Sequence, residues 1–151
     1  MSIHDRLNSL GITLPHAAAP VASYQPVVVD GHTAFVSGQL PFVDGELVTG
    51  KLGDEVSLER GQQAARACGL MIMAQLEAAG QIERVAHFVK LGGFVACTPD
   101  FYDQPKVING ASDLMYEVFG DPGKHARSAV GVPALPLNAA VEVDAIVALK
   151  A

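Results

Sequence analysis

Charge is scarce in this chain, and positive charge scarcest. Of 151 residues 17% are Asp, Glu, Lys or Arg, and ten Lys and Arg face sixteen acids, for a formal charge of −6. The densest basic stretch is only Lys124-His125-Ala126-Arg127. Nucleic-acid binding draws its affinity from counterions displaced by clustered cations, so this composition argues against a nucleic-acid partner. Cysteine is sparse too. Cys68 and Cys97 have no paired spacing, and a chain of this size, able to bury roughly 68–70% of its unfolded surface, holds together without disulfides. Both are expected to be reduced, buried small hydrophobes. No apolar run reaches the roughly 20 residues of a membrane helix. The richest run, near the C-terminus, is broken by Glu142 and Asp144. The stretch from Met1 to Arg6 lacks a basic region followed by an apolar core, so no secretory signal is expected and the expected compartment is the cytoplasm.

Several familiar chemistries lack their motifs. His4, His16, His32, His87 and His125 share no ligand spacing such as H-x-x-x-H and neighbour no Cys or carboxylate cluster. No metal site is expected. His87, inside an apolar run, is expected to be a hydrogen-bonded core histidine. Neither G-x-G-x-x-G after a strand nor G-x-x-x-x-G-K-[ST] occurs, so no nucleotide cofactor is expected. No G-x-S-x-G elbow is present, and Ser37-Gly38 has no evident base to activate a nucleophile.

What the chain does hold is apolar residues in regular phase. They make up 50% of the sequence, an excess that points to a surface covered by a second subunit. Ser2 and Asp5 can box the start of a short helix closed by Gly11, and residues 13–23, with Pro15 and Pro20, read as an arm lying on the body. Residues 25–29 and 33–37 form an expected hairpin turning at Asp30-Gly31. Residues 38–54 read as a loop with one short strand at 46–48. Ser57 caps a helix that Gly80 ends, with Ala65, Cys68, Ile72 and Leu76 on one face. Residues 85–97 form a long strand, with a bulge or close backbone contact expected at Gly92-Gly93. Asp103 starts a second helix carrying Val107, Ala111, Leu114 and Val118 inward and stopping at Gly120. Strands at 127–132 and 139–149 follow; Val141, Val143, Ala145, Val147 and Leu149 share one face. The order ββαβαββ implies an α+β fold in a single domain over 1–151: one mixed sheet with both helices on one face and the other face left to a neighbouring subunit.

Two residues stand out. Arg127 opens an apolar strand, and its guanidinium is a planar fork suited to a carboxylate. Glu142 sits within the last strand, where a carboxylate needs a partner or a role. The residue types alone leave two readings: a structural Arg127–Glu142 ion pair between adjacent strands, or a site for a small carboxylate.

At these residues the sequence resembles a known family. Arg127-Ser128-Ala129-Val130-Gly131-Val132, Leu135-Pro136 and Val141-Glu142-Val143-Asp144-Ala145-Ile146, together with Ser37-Gly38-Gln39-Leu40-Pro41, are similar to the signatures of the RidA/YjgF family, the reactive-intermediate imine and enamine deaminases also labelled endoribonuclease L-PSP. The likeness runs over about residues 20–149, in a longer branch of about 150 residues with the N-terminal helix and arm at 1–23. It implies a chorismate-mutase-like fold, a homotrimer with sheets packed inside and clefts between subunits, and cofactor-free hydrolysis of 2-imino or 2-enamino acids to 2-keto acids and ammonia. By the same resemblance Arg127 holds the substrate carboxylate, Glu142 positions water, and Tyr24, Ser37, Gly38, Asp113, Leu135 and Pro136 line the cleft. Asp113 stands where the deaminases usually carry asparagine, and Ala129 where many carry cysteine. The alternative is a non-catalytic trimer that binds small carboxylate metabolites in a regulatory role. Ribonuclease activity rests on the family label and fits the acidic, patch-free sequence poorly.

Overall fold

The structure, a computed structural model, describes residues 1–20 and 22–151. Val21, within the expected arm, lies outside the described residues.

The sheet is built by residues whose side chains alternate in burial. β1 (Val27–Asp30) and β2 (Thr33–Gln39) form the expected hairpin. Asp30 pairs with Thr33, so the two turn residues are Gly31 and His32, one position beyond the expected Asp30-Gly31. Gly31 supplies the positive φ of 62° that this tight turn requires. The next segment folds into a hairpin of its own, β3 (Phe42–Val43) with β4 (Glu46–Leu47), where only the second strand was expected. β5 (Val85–Ala96), β6 (Ala126–Val132) and β7 (Val141–Leu149) complete a five-stranded sheet in the order β1-β2-β7-β5-β6. All its pairings are antiparallel except β5 with β6. A parallel pair needs a crossover, and helix α3 (Gln104–Phe119) supplies it.

Along β7, Val141, Val143, Ala145, Val147 and Leu149 are buried, while Glu142, Asp144, Ile146 and Ala148 are half-buried. The buried row lies under α2 (Leu58–Ala78) and α3. Ser57 caps α2 by accepting from the Arg60 N–H at 3.1 Å. The helices touch closely at Gly110, where a Cβ would stand 2.1 Å from the Gln62 carbonyl oxygen. Gln75, buried in α2, donates to the carbonyl of Ala18 at 2.7 Å and so ties the arm to the body. Helix α1 (Ile3–Ser9) carries the capping box of Ser2 and Asp5.

The opposite face of the sheet is uncovered. By register, Val28, Phe35 and Ile146 form a row across β1, β2 and β7, and Phe94 lies between Glu142 and Val130. Val28 is 50% exposed and Phe35 and Val130 45%. Together these side chains form a continuous exposed apolar surface on the sheet.

Three expectations need correction. The irregularities of β5 lie between Val85 and His87 and between Phe88 and Lys90, not at Gly92-Gly93. Those glycines make room for side chains: a Cβ on Gly92 would meet Asp144 Oδ1 at 2.4 Å, and one on Gly93 would meet Ile108 at 2.6 Å. The same irregularities turn His87 outward, so it is exposed and no core histidine. Cys68 is fully buried as expected, but Cys97 is only half-buried and accepts from Gln104 Nε2 at 3.6 Å. Burial first, and then the charge of Glu142, pushes the Cys68 thiol well above its ordinary value, which makes it a packing residue.

Candidate functional site

The residues singled out in the sequence fall into two groups on opposite faces of the sheet. Arg127 is the second residue of β6. It pairs with Leu91 and, through it, with Ala145, both buried beneath the helices, so its side chain rises on the helix-covered face. There Nη1 donates to Asn109 Oδ1 at 2.8 Å and to Ser112 Oγ at 3.2 Å, both on α3. Nε and Nη2 have no partner among the described residues, and no buried side-chain nitrogen among them is left unsatisfied, so this edge of the guanidinium is open. Ser112 Oγ is also 2.8 Å from His125 Nε2, and His125 Nδ1 is 2.7 Å from the Gly123 carbonyl. Asp113, next on α3, is exposed and enters no ion pair among the described residues.

Glu142 pairs with Phe94 and, through it, with Val130. Val130 is three residues from Arg127 on β6, and an odd spacing along a strand reverses the face. Of the two readings that the residue types left open, the Arg127–Glu142 ion pair does not exist within the chain: β5 runs between their strands and the two side chains point away from each other. The carboxylate of Glu142 instead occupies the space over Gly38, where a Cβ would stand 2.2 Å from Oε2. Gly38 and Ser37 form the register shift of β2 between Val36 and Gln39. Ser37 donates its hydroxyl to the Gln25 carbonyl at 2.8 Å. Tyr24, half exposed, shares a cavity of about 240 Å³ with Gly38, Gln39 and Leu137.

Leu135 and Pro136 do not line that cavity. Their carbonyls accept from the Asn138 and Ala139 N–H groups at 3.1 and 3.0 Å, closing the turn that carries the chain into β7. The turn presents Leu137 in their place. Leu137 and Asn138 hold left-handed backbone angles, φ 58° and 61°, a costly conformation for residues with a Cβ. The sequence reading missed Leu137, and also Asn109, Ser112 and His125. A signal for the last three was there: Asn109 and Ser112 are polar at i and i+3 on a helix that is otherwise apolar inward, and His125 stands two residues before Arg127.

Burial first, and the neighbouring Asp144 charge second, raises the Glu142 carboxyl above its ordinary value. Burial also raises Asp144, against the lowering effects of the Gly92 N–H and Lys90. A carboxylate so raised is a better proton acceptor than an ordinary surface acid. Among the described residues no three His, Cys, Asp or Glu side chains are gathered as metal ligands, and no helix is long and apolar enough to cross a membrane. A larger cavity, about 940 Å³, lies between the arm, the β3–β4 hairpin and α2, walled by Leu14, His16, Phe42, Arg60 and Met71; it contains none of the expected site residues.

The chain is similar to known proteins over nearly its whole length. Residues 4–149 match the family described as "YjgF/chorismate mutase-like, putative endoribonuclease". A 2-iminobutanoate/2-iminopropanoate deaminase of Dermatophagoides farinae is 35% identical over 141 residues, covering 92% of this chain and 95% of its own. Protein TCP17 of Trypanosoma cruzi is 52% identical over 147 residues, 95% of this chain and 92% of its own. The crystal structure of a protein of unknown function from Agrobacterium tumefaciens superposes with a TM-score of 0.90 at 47% identity, covering 98% of this chain and 92% of that one. Matched over almost its whole length, with an α+β fold of mixed sheet and flanking helices, the chain belongs to the YjgF/RidA family.

Proposed function

We propose that the protein hydrolyses reactive 2-imino and 2-enamino acids to 2-keto acids and ammonia, without a cofactor, in clefts between the subunits of a homotrimer. The observation that carries this reading is the open edge of Arg127: Nη1 is held by α3 while Nε and Nη2 are unengaged. Two parallel N–H groups on a rigid plane match a carboxylate. A 2-imino acid bears its carboxylate on the carbon that reacts, so gripping the one places the other.

Hydrolysis then needs a water aimed at the C=N carbon and a group to take its proton. The water oxygen bonds to carbon as the C=N electron pair moves to nitrogen, which takes up a proton. Collapse of the carbinolamine, its hydroxyl proton passing to the nitrogen, breaks the C–N bond, releases ammonia and forms the keto group. Glu142, with its raised carboxyl, suits the transfer from water to nitrogen, a role worth roughly 10²–10⁴-fold in rate. Tyr24, Gly38 and Leu137 give the wall of that half of the site. Arg127 and Glu142 belong to opposite faces, so one cleft would take the first from one copy and the second from another. The uncovered apolar face and the deaminase from Dermatophagoides support association and chemistry respectively. Nucleic acid is not part of this proposal, since the ten cations are scattered through an acidic chain.

The test is release of ammonia from a freshly oxidised amino-acid imine. Arg127→Ala should lower kcat/KM by about ten- to a hundredfold, as expected for loss of charge-assisted hydrogen bonds, and Arg127→Lys should not restore it, because a point charge lacks the fork. Glu142→Gln should keep binding and slow turnover. A wild type no faster than buffer would overturn the hydrolase. Saturable binding of 2-ketobutyrate without turnover would then favour the second reading, a trimeric carboxylate binder, in which Arg127 serves only as the grip.

A further inference from the structure

We propose that Asn109, Ser112 and His125 are positioning residues that lock the rotation of the Arg127 guanidinium so that its Nε–Nη2 edge, and no other, meets the ligand. The inference rests on the carboxylate reading of Arg127 and adds three residues to it.

The oxygen of Gly123 can only accept, and it lies 2.7 Å from His125 Nδ1, so Nδ1 carries the hydrogen. In the neutral ring Nε2 is then an acceptor, and the partner at 2.8 Å is the Ser112 hydroxyl, which must donate. With its hydrogen spent on His125, Ser112 Oγ offers lone pairs, and Arg127 Nη1 donates to it at 3.2 Å. The second Nη1 hydrogen goes to Asn109 Oδ1 at 2.8 Å. Each link fixes the direction of the next, and both hydrogens of Nη1 are committed. A free guanidinium could turn any of its edges to an anion, whereas one held at Nη1 keeps a single edge for it.

The mounting is stiff. Asn109 sits beside Gly110, at a close approach of α3 to α2, where a Cβ would stand 2.1 Å from the Gln62 carbonyl oxygen. Gly123 is packed beneath α3 just as closely, with a Cβ position 2.1 Å from the Met115 carbonyl oxygen. Side chains held by packed elements keep a binding group within the tight tolerance that recognition needs.

Two readouts on the same proteins test this: the ¹⁵N–¹H spectrum of the arginine side chains, with Arg127 assigned by its loss in Arg127→Lys, and the Kd for 2-ketobutyrate. In the wild type Arg127 should show separate Nη resonances, because its hydrogen bonds slow rotation about Nε–Cζ. Ser112→Ala and Asn109→Ala should merge them and weaken 2-ketobutyrate about three- to tenfold, the range for one hydrogen bond. Ser112→Thr, which keeps the hydroxyl, should restore both. His125→Phe should act only through Ser112, so the double variant with Ser112→Ala should be no worse than Ser112→Ala alone. In an Arg127→Ala background Ser112→Ala should change the Kd no further, whereas a purely structural role would still show. Merged resonances in the wild type, or separate ones that survive Ser112→Ala and Asn109→Ala, would overturn the lock even in an active enzyme. A wild type with locked Arg127 resonances, released by both variants, that fails to bind 2-ketobutyrate would uphold the lock and overturn the carboxylate reading.

Discussion

Arg127 and Glu142 stand on opposite faces of the same sheet, on strands that β5 keeps apart. If both act on one small molecule, they come from different copies of the chain. Mixing then gives a distinctive result. Arg127→Ala and Glu142→Gln trimers, each nearly inactive, unfolded together and refolded as a one-to-one mixture, should regain about a quarter of wild-type activity. That is the share of interfaces at which an intact arginine meets an intact glutamate in a randomly assembled ring. Light scattering should give the mass of a trimer. No recovery on mixing, or a monomer at micromolar concentration, would rule out the shared cleft.

Gly38 yields its side-chain volume to Glu142. A methyl group there cannot coexist with Oε2 2.2 Å away, so Gly38→Ala should swing the carboxylate out of place while the backbone, which needs no positive φ at this glycine, accepts alanine. Turnover should fall about tenfold or more with KM for the imine changed little, as for loss of a proton-transfer group. A Gly38→Ala enzyme with wild-type kcat would mean that Glu142 does not work from its position over Gly38.

The raised carboxyls of Glu142 and Asp144 have a consequence for stability. A carboxyl whose folded pKa exceeds its unfolded value contributes stability that is complete below the unfolded value, about 4, and is lost as pH rises through the folded one. Both groups therefore oppose folding at neutral pH. Glu142→Gln and Asp144→Asn should each raise the Tm at pH 7.5 and leave it nearly unchanged at pH 4, read by differential scanning calorimetry. An equal effect at both pH values would point to packing instead of charge.

Helix α1 is held by an arrangement of the opposite sign. His4 lies between Glu77, 2.6 Å from Nε2, and Glu83, which also accepts from the backbone N–H groups of Ile3 and His4 at 2.8 and 3.1 Å. Glu77 first and Glu83 second raise the His4 pKa, so this anchor is complete below the unfolded histidine value of about 6.5 and is lost as pH rises through the folded one. Partial burial of Glu83 is outweighed by those N–H groups and the His4 ring, so its pKa is lowered. Its contribution is present above about 4.3, the unfolded value, and fades as pH falls through the folded one. Protection of the α1 amides, measured by hydrogen exchange and corrected for intrinsic rate, should peak near pH 5–6 and decline on both sides. His4→Ala should remove the alkaline decline; a pH-independent helix in the wild type would refute the anchor.

Much of this was legible in the residues. Gly11, Gly80 and Gly120 end helices and take positive φ, Ser2 and Ser57 cap as their spacing predicts, and the valine row of β7 is buried throughout. Local chemistry decides those features within a few residues. Strand order is a property of the whole chain, and the ion pair failed for that reason: β6 and β7 are consecutive in sequence, yet β5 enters between them. His87 was misjudged because two register irregularities, invisible as residue types, reset the facing of β5. Leu135 and Pro136 were named from a motif, but the turn they build delivers their neighbour Leu137 to the cavity. The partners of Arg127 lie on another element, and only the crossover geometry of α3 identifies which polar side chains reach it.

The left-handed pair Leu137 and Asn138 sets a limit on how this protein can be improved. Backbone strain of this kind costs about 1–3 kcal/mol per residue, so a stability engineer would choose Leu137→Gly or Asn138→Gly, the substitutions that relieve it. Each would also remove conformational rigidity, and the first would delete the side chain that walls the cavity beside Tyr24 and Gly38. Heat tolerance and a well-defined pocket draw on the same few backbone angles here, and a variant selected for the first alone will tend to drift away from the second.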